Sequence, residues 1–156
     1  MPAESQSPSP RIRALPTEDA TAALAAEVAA RARPGDAVLL AGPLGAGKTS
    51  FARAFLRAAS GDPALEVPSP TYTFMQSYDT RLGPVHHYDL WRAAGPADLA
   101  ELGWDEARRD IVLVEWPDRL GPLAPADALR IELSAEDAAE GTRRRASLAG
   151  WTERLA

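Results

Sequence analysis

The residues Gly42-Pro43-Leu44-Gly45-Ala46-Gly47-Lys48-Thr49 have the types and spacing of a cradle for a polyphosphate, G-x-x-x-x-G-K-[ST]. Glycines let consecutive backbone N–H groups turn inward around phosphate oxygens with no Cβ in the way, and a helix that starts where the loop ends adds the positive end of its dipole. Gly45, Ala46 and Gly47 would supply the amides, with Ser50 behind them on the first helical turn. Lys48 is a compact, movable charge able to reach β and γ oxygens, whereas a planar guanidinium is too wide for the cradle. That requirement accounts for an oddity of composition: of 17 basic residues, Lys48 is the only lysine. Multiplying the chain's own residue frequencies gives odds of roughly 1 in 2000 for a chance match anywhere in it.

A second set of residues completes the chemistry. Thr49 would present its hydroxyl to Mg²⁺, which prefers hard oxygen ligands and keeps several waters. An acid is then required at the end of a buried strand beside the first, and Glu115, directly after Ile111-Val112-Leu113-Val114, fits; the plain alternative is a carboxylate emerging into solvent. Asp89 ends a further strand, where it could orient a water for attack on a γ-phosphate, hold a water of the metal shell, or cap the following turn. His87 reads either as a hydrogen-bonded packing residue or as a catalytic group. Ser69 and Thr71 place hydroxyls on either side of Pro70, as suits a segment that orders around a γ-phosphate, or they lie in a proline-rich surface loop. Trp116 could stack on a nucleotide or a partner, or be a half-buried aromatic. Arg143-Arg144-Arg145 could touch RNA phosphates, although charges alternating on an edge strand explain them as well. The chain has no asparagine, so it lacks the N-K-x-D reader of guanine, and ATP is expected over GTP.

These groups need a scaffold that brings strand ends together. Ala37–Ala41 is a continuous apolar run between Gly35-Asp36 and Gly42-Pro43, the pattern of a strand buried on both faces. Lys48 to Ser60 reads as a helix with Phe51, Phe55 and Leu56 on one face and Gly61 at its end. Upstream, Arg11–Leu15 alternates as a short strand, and Thr17 caps a helix running to about Arg33, with Leu24 and Val28 facing inward. Downstream, strands are expected at Tyr72–Tyr78 and Val85–Leu90 around a turn at Leu82-Gly83-Pro84, and two short helices within Pro96–Arg109. The β-branched run Ile111–Val114 belongs in the centre of the sheet, and Leu129–Leu133 with Arg143–Leu148 forms a closing hairpin across Gly141, followed by a short helix at Trp151–Leu155. The expected architecture is α/β: three layers, a mostly parallel central sheet with helices on both faces, and a C-terminal β-hairpin.

Size and charge set limits on partners. At 156 residues the chain is expected to form one domain over residues 11–156, preceded by a loose Ser- and Pro-rich tail over residues 1–10. A net charge of -5 argues against a general nucleic-acid or membrane coat. Zero cysteines exclude disulfides, thiolate metal sites and thiol nucleophiles, and make a reducing cytoplasm the simplest location. No apolar run reaches the ~20 residues of a membrane span.

Four segments together, Leu44-Gly45-Ala46-Gly47-Lys48-Thr49, Ser69-Pro70-Thr71-Tyr72-Thr73, His87-Tyr88-Asp89-Leu90-Trp91-Arg92 and Val114-Glu115-Trp116-Pro117, resemble the TsaE (YjeE) family of bacterial tRNA threonylcarbamoyladenosine biosynthesis ATPases. Their order and spacing agree with it from about Arg11 to the end. The resemblance implies a P-loop NTPase-like fold and a small Mg²⁺-dependent ATPase that does not itself modify tRNA. Such a protein assists the TsaB and TsaD proteins in placing threonylcarbamoyl on N6 of adenosine 37, and the resemblance leaves open whether it touches tRNA directly or only through the complex. It further implies that Lys48 meets phosphate, that Thr49 and Glu115 serve Mg²⁺, that Asp89 is needed for hydrolysis, that Ser69 to Thr73 is a switch-like segment binding through Thr71, and that Glu18 and Thr21 lie on the adenine side. Pro43 stands where the family commonly has an acid, and Trp91 where it has tyrosine. The competing function is a small-molecule or nucleotide kinase on the same scaffold, which would need a mobile basic lid; the stretch from Gly61 to Glu115 is short and acidic. A third is a module in which nucleotide only gates docking, without hydrolysis.

Overall fold

The apolar runs Ala37–Ala41 and Ile111–Val114 need cover on both faces, and the chain meets that need by pairing them inside a sheet. The computed structural model describes residues 10–70, 73–93, 95–138 and 141–155, so Thr71 and nearly all of the expected N-terminal tail lie outside the described residues. The elements are β1 (Arg11–Leu15), α1 (Glu18–Arg31), β2 (Ala37–Ala41), α2 (Lys48–Ser60), β3 (Met75–Thr80), β4 (Gly83–Asp89), α3 (Pro96–Glu101), α4 (Trp104–Ala107), β5 (Ile111–Glu115), a kinked 3-10 segment (Pro117–Leu123), β6 (Leu129–Ala138) and β7 (Gly141–Ala149). The seven strands follow the order β1-β7-β6-β2-β5-β4-β3. Strands β6, β2, β5 and β4 run parallel, and β7, β1 and β3 add antiparallel edges to that core.

Side-chain alternation splits the buried residues into two layers. Val38, Leu40, Ile111 and Leu113 face α1 and α2, where they meet Leu24, Val28, Phe51, Phe55 and Leu56. Ala37, Leu39, Val112 and Val114 face the opposite side and pack on Leu99 of α3, Trp104 of α4 and Leu120. Tyr88 belongs to this second layer: its ring meets Trp104 edge-on at 5.3 Å and its hydroxyl donates to the Leu102 carbonyl at 3.1 Å. The three-layer α/β expectation therefore holds, with helices on both faces. Thr17 caps α1 by accepting from the Ala20 N–H at 3.1 Å, worth about 1 kcal/mol.

Four local expectations need correction. Strand β3 begins at Met75, because Phe74 takes a left-handed φ of 64° that interrupts extension; Tyr72, the expected start, lies outside the described residues. The turn before β4 falls one residue early, at Arg81-Leu82, where the Thr80 hydroxyl accepts from the Leu82 N–H at 3.0 Å and donates to the Gly83 carbonyl at 2.8 Å. The C-terminal hairpin does not close the sheet and β7 is not an edge from Arg144 to Leu148, where β1 pairs with its outer side, so edge protection does not explain Arg144 and Arg145. Trp151–Leu155 forms a single turn instead of a helix, held by the N–H groups of Arg154 and Leu155 on the Trp151 carbonyl and by a two-point Arg154–Asp36 ion pair at 2.7 and 3.0 Å.

Two stability predictions follow from this packing. Phe55 is fully buried between α2 and the sheet, and Phe55→Ala is expected to cost about 3–5 kcal/mol in urea unfolding, while Leu44→Ala at an exposed position stays within about 0.5 kcal/mol. Burial, aided by Glu106, pushes the Tyr88 phenol from 10.0 up to about 12. A group raised in this way keeps its full contribution below the unfolded value and loses it as pH climbs through the folded one. Stability is therefore expected to decline between pH 10.0 and about 12, and less steeply in Tyr88→Phe, as unfolding midpoints across that range will show.

Candidate functional site

Strand β2 delivers the chain into the glycine loop at the middle of the sheet, beside β5 on one flank and β6 on the other. Gly42, at φ 139°, passes so close to β6 that a Cβ would collide with the Leu133 carbonyl oxygen, so only glycine fits the entrance. Gly47, at φ 105°, is the N-cap of α2 and offers no side-chain cap, which leaves the first-turn N–H groups open towards the loop. Ala46, expected to offer its amide, is buried at 2% exposure, donates its N–H to the Pro43 carbonyl at 3.2 Å and does not line the cleft that Gly45 and Gly47 line. Lys48 is also buried. Its ammonium donates to the Gly42 and Pro43 carbonyls at 2.6 and 2.8 Å and lies 3.9 Å from the centroid of the Trp116 ring. Burial pushes the Lys48 pKa down, and the negative charges of Glu115 and Asp89 oppose that shift.

The acids arrive by register. Asp89 pairs with Glu115, and Glu115 with Leu40, so the two carboxylates stand side by side at the ends of parallel strands on the α2 face. Glu115 is 2% exposed and both its oxygens are held. Thr49 Oγ1 donates to Oε1 at 2.7 Å, and His87 Nε2 stands 2.6 Å from Oε2. Asp89 is 4% exposed and accepts the Trp91 N–H at 3.0 Å, which fulfils the turn-capping expectation. Trp116 follows Glu115 in the left-handed region at φ 60°, a conformation that costs of order 1 kcal/mol or more outside glycine. Its ring, under Lys48, packs on Trp91 at 4.3 Å.

These groups line one cleft of about 400 Å³, which holds Gly45, Gly47, Lys48, Thr49, Ser50, Asp89 and Glu115, together with Ser69, Trp91, Trp116 and Arg144. A larger cleft of about 580 Å³ adjoins it across Ser50, between the start of α1 and α2, and is lined by Glu18, Thr21, Arg53 and Arg57. The chemistry-bearing groups concentrate in the smaller cleft, so size does not select the site. Glu18 is linked to it by the Arg144 guanidinium, which donates to its carboxylate at 3.0 Å. Thr49 and Glu115 offer a hydroxyl and a carboxylate in contact, a donor pair suited to a hard cation that fills its shell with phosphate and water. Among the described residues no group of three or more His, Asp or Glu side chains could hold a metal, and no helix is long and apolar enough to cross a membrane.

Sequence reasoning missed one member of the site and the partner of another candidate residue, His87, which is buried and hydrogen-bonded as one of its two expectations had it. Arg144 was read only as part of a basic run, and strand alternation in Arg143-Arg144-Arg145 was the available signal that the central arginine faces the other way. The contact of His87 with Glu115 was also missed, although the i, i+2 spacing of His87 and Asp89 on a strand places both on one face.

Comparison with known proteins places this geometry in a family. Residues 15–146 match the model of TsaE, "Threonylcarbamoyl adenosine biosynthesis protein TsaE". The tRNA threonylcarbamoyladenosine biosynthesis protein TsaE of Rickettsia felis is 36% identical over 124 residues, which cover 79% of this chain and 72% of the relative. The protein of the same name from Bacillus subtilis is 36% identical over 113 residues, covering 71% and 69%. The crystal structure of Bacillus subtilis YdiB superposes with a TM-score of 0.70 at 28% identity, covering 93% of this chain and 88% of that one. With its glycine loop, paired strand-end carboxylates and matched length, the chain belongs to the TsaE family of threonylcarbamoyl adenosine biosynthesis proteins.

Proposed function

We propose that this chain binds ATP with Mg²⁺ in the cleft between the Gly42–Thr49 loop and the ends of β4 and β5, and hydrolyses it in the cytoplasm in support of tRNA N6-threonylcarbamoyladenosine formation with TsaB and TsaD. The observation that carries this reading is the 2.7 Å contact of Thr49 with Glu115 at an uncapped helix N-terminus whose first residue, the sole lysine, turns its ammonium to the carbonyls of the glycine loop. Each part has a task. The loop and first-turn amides receive the phosphates, and Lys48 exchanges the Gly42 and Pro43 carbonyls for β and γ oxygens. Thr49 and Glu115 would hold the cation, which would supply positive charge to offset the negative charge of the phosphates. Asp89, beside Glu115, orients the attacking water and receives its proton as the bond from γ-phosphorus to the leaving ADP breaks. The adjoining cleft at Glu18 and Thr21 receives the adenine side of the nucleotide. At the mouth, Leu44 and Trp91 are exposed apolar residues, available to a protein partner that covers the site.

Incubating the protein with Mg·ATP, with and without TsaB and TsaD, is expected to release free phosphate, and faster with the partners. Transfer of the phosphoryl group to a nucleoside or other acceptor in place of release would instead establish a kinase. Lys48→Ala is expected to weaken ATP binding at least about tenfold by calorimetry, because a charge-assisted contact to phosphate is lost. Asp89→Asn keeps an oxygen for the Trp91 N–H. It is expected to bind ATP within about threefold of the native protein while hydrolysis falls by about 10²–10⁴. Unchanged phosphate release in that variant would remove Asp89 from the reaction.

A further inference from the structure

We propose that His87 is a positioning residue for Glu115: it grips one carboxylate oxygen from the core side so that the other is presented to Thr49 and the cleft, and in this way sets the affinity of the site for its divalent cation. The inference rests on the Mg·nucleotide reading above and adds a residue to it.

Three observations converge on His87. It is fully buried, with Nε2 2.6 Å from Glu115 Oε2. A carboxylate only accepts, so this nitrogen carries the proton and the tautomer is fixed by its partner. The other ring nitrogen, Nδ1, is buried with no hydrogen-bond partner among the described residues. Burying such an orphan costs about 1–3 kcal/mol; Val85, two residues back on the same face, and Leu113, opposite on β5, are apolar, while Gln76, opposite on β3, and Asp89, two residues on, are its polar neighbours in register and alternation. A histidine serving only to fill this space would be outdone by a leucine or methionine. Its one polar contact, to Glu115, is what distinguishes it from them.

The geometry also says how the contact acts. His87 lies opposite Leu113, while Asp89 lies opposite Glu115, so the imidazole stands one step back from the strand ends on the same face. It therefore reaches Glu115 from behind, leaving Oε1 with Thr49 at the cleft. Without that hold the carboxylate is free to turn about its last torsion towards the Lys48 ammonium, whose charge it already feels. The imidazole does not line the cleft. It acts through Glu115, and its role is to orient a ligand rather than to move a proton of the reaction. Removing such supporting partners typically costs 10–100-fold in metal affinity.

The test compares His87→Gln, whose amide N–H can stand where Nε2–H stands, with His87→Met and His87→Asn, which fill the space or remain polar but cannot donate to Oε2. ADP affinity in EDTA and Mn²⁺ binding to the protein–ADP complex, followed by electron paramagnetic resonance, are measured for each. All folded variants are expected to bind ADP in EDTA within about threefold of the native protein. Mn²⁺ affinity is expected to fall about 10–100-fold in Met and Asn and to recover to within about threefold in Gln. Native-like Mn²⁺ binding in Met or Asn overturns the proposal, as does a Gln variant as weak as they are. So does a failure of both Met and Asn to fold while Gln folds, because the role would then be structural. If the native protein binds neither ADP nor Mn²⁺–ADP, the nucleotide reading falls and this inference with it; native binding with unaffected variants removes this inference alone.

Discussion

A carboxylate 2% exposed at the end of a central strand is the constraint to which the surrounding groups answer, because an ionised group withdrawn from water is tolerated only when its oxygens are paired. Glu115 satisfies that condition through two elements at once. The hydroxyl of Thr49 and the opposing charge of Lys48 come from the first turn of α2, and the imidazole of His87 comes from β4. Any shift of one element relative to another leaves a buried oxygen unpaired. The cost of one such group is comparable to a sizeable part of the stability of a small domain, so the pairing fixes the relative positions of loop, helix and strands as well as the chemistry.

The sheet topology makes this arrangement possible. Placing β2 between β5 and β6 puts the glycine loop above the ends of two parallel neighbours, and the parallel register of β4 with β5 brings Asp89 level with Glu115. Alternation then does the sorting. Polar site residues take the α2 face only in the last positions of their strands, while the residues before them on the same face, such as Val85, Ile111 and Leu113, remain apolar core. His87 is the exception to that pattern, a polar side chain set one step into the core, and its contact is with the site above it. The entrance to the loop is equally constrained: the backbone of Gly42 runs against the Leu133 carbonyl, so the position of β6 is built into the cradle.

Much of this was legible in the chain. The boundaries of β1, β2 and α2 coincide with the apolar run, the glycine loop and the terminal Gly61, because each is punctuated by residues with strong local preferences. The site residues on the loop and at the strand ends were legible for the same reason: a glycine-lysine signature and an acid closing a buried run are local features. What failed was non-local. The inner position of β7 depends on β1 returning from the start of the chain to pair with it, a contact across more than a hundred residues that no local pattern announces. The late start of β3 depends on Phe74 adopting a left-handed conformation that its residue type does not favour. The contribution of Arg144 required knowing that β7 passes the loop close enough for its guanidinium to reach Glu18 and the cleft.

The resting position of Lys48 explains how a buried ammonium can wait in an apolar surround without collapsing onto Glu115. Two carbonyls of its own loop satisfy it at 2.6 and 2.8 Å, and the face of Trp116 lies beneath it. Direct pairing with the carboxylate would be stronger in charge terms, but Glu115 already has both oxygens engaged. The lysine is therefore held by neutral dipoles in place of an ion pair, and the phosphate of the proposed nucleotide would have only those dipoles to displace. The strained Trp116 backbone contributes to this by setting the ring under the ammonium immediately after the acid. On the proposed nucleotide reading, a cradle arranged in this way has already desolvated its cation, so an entering phosphate would meet a charge whose water was removed during folding and not at the moment of binding.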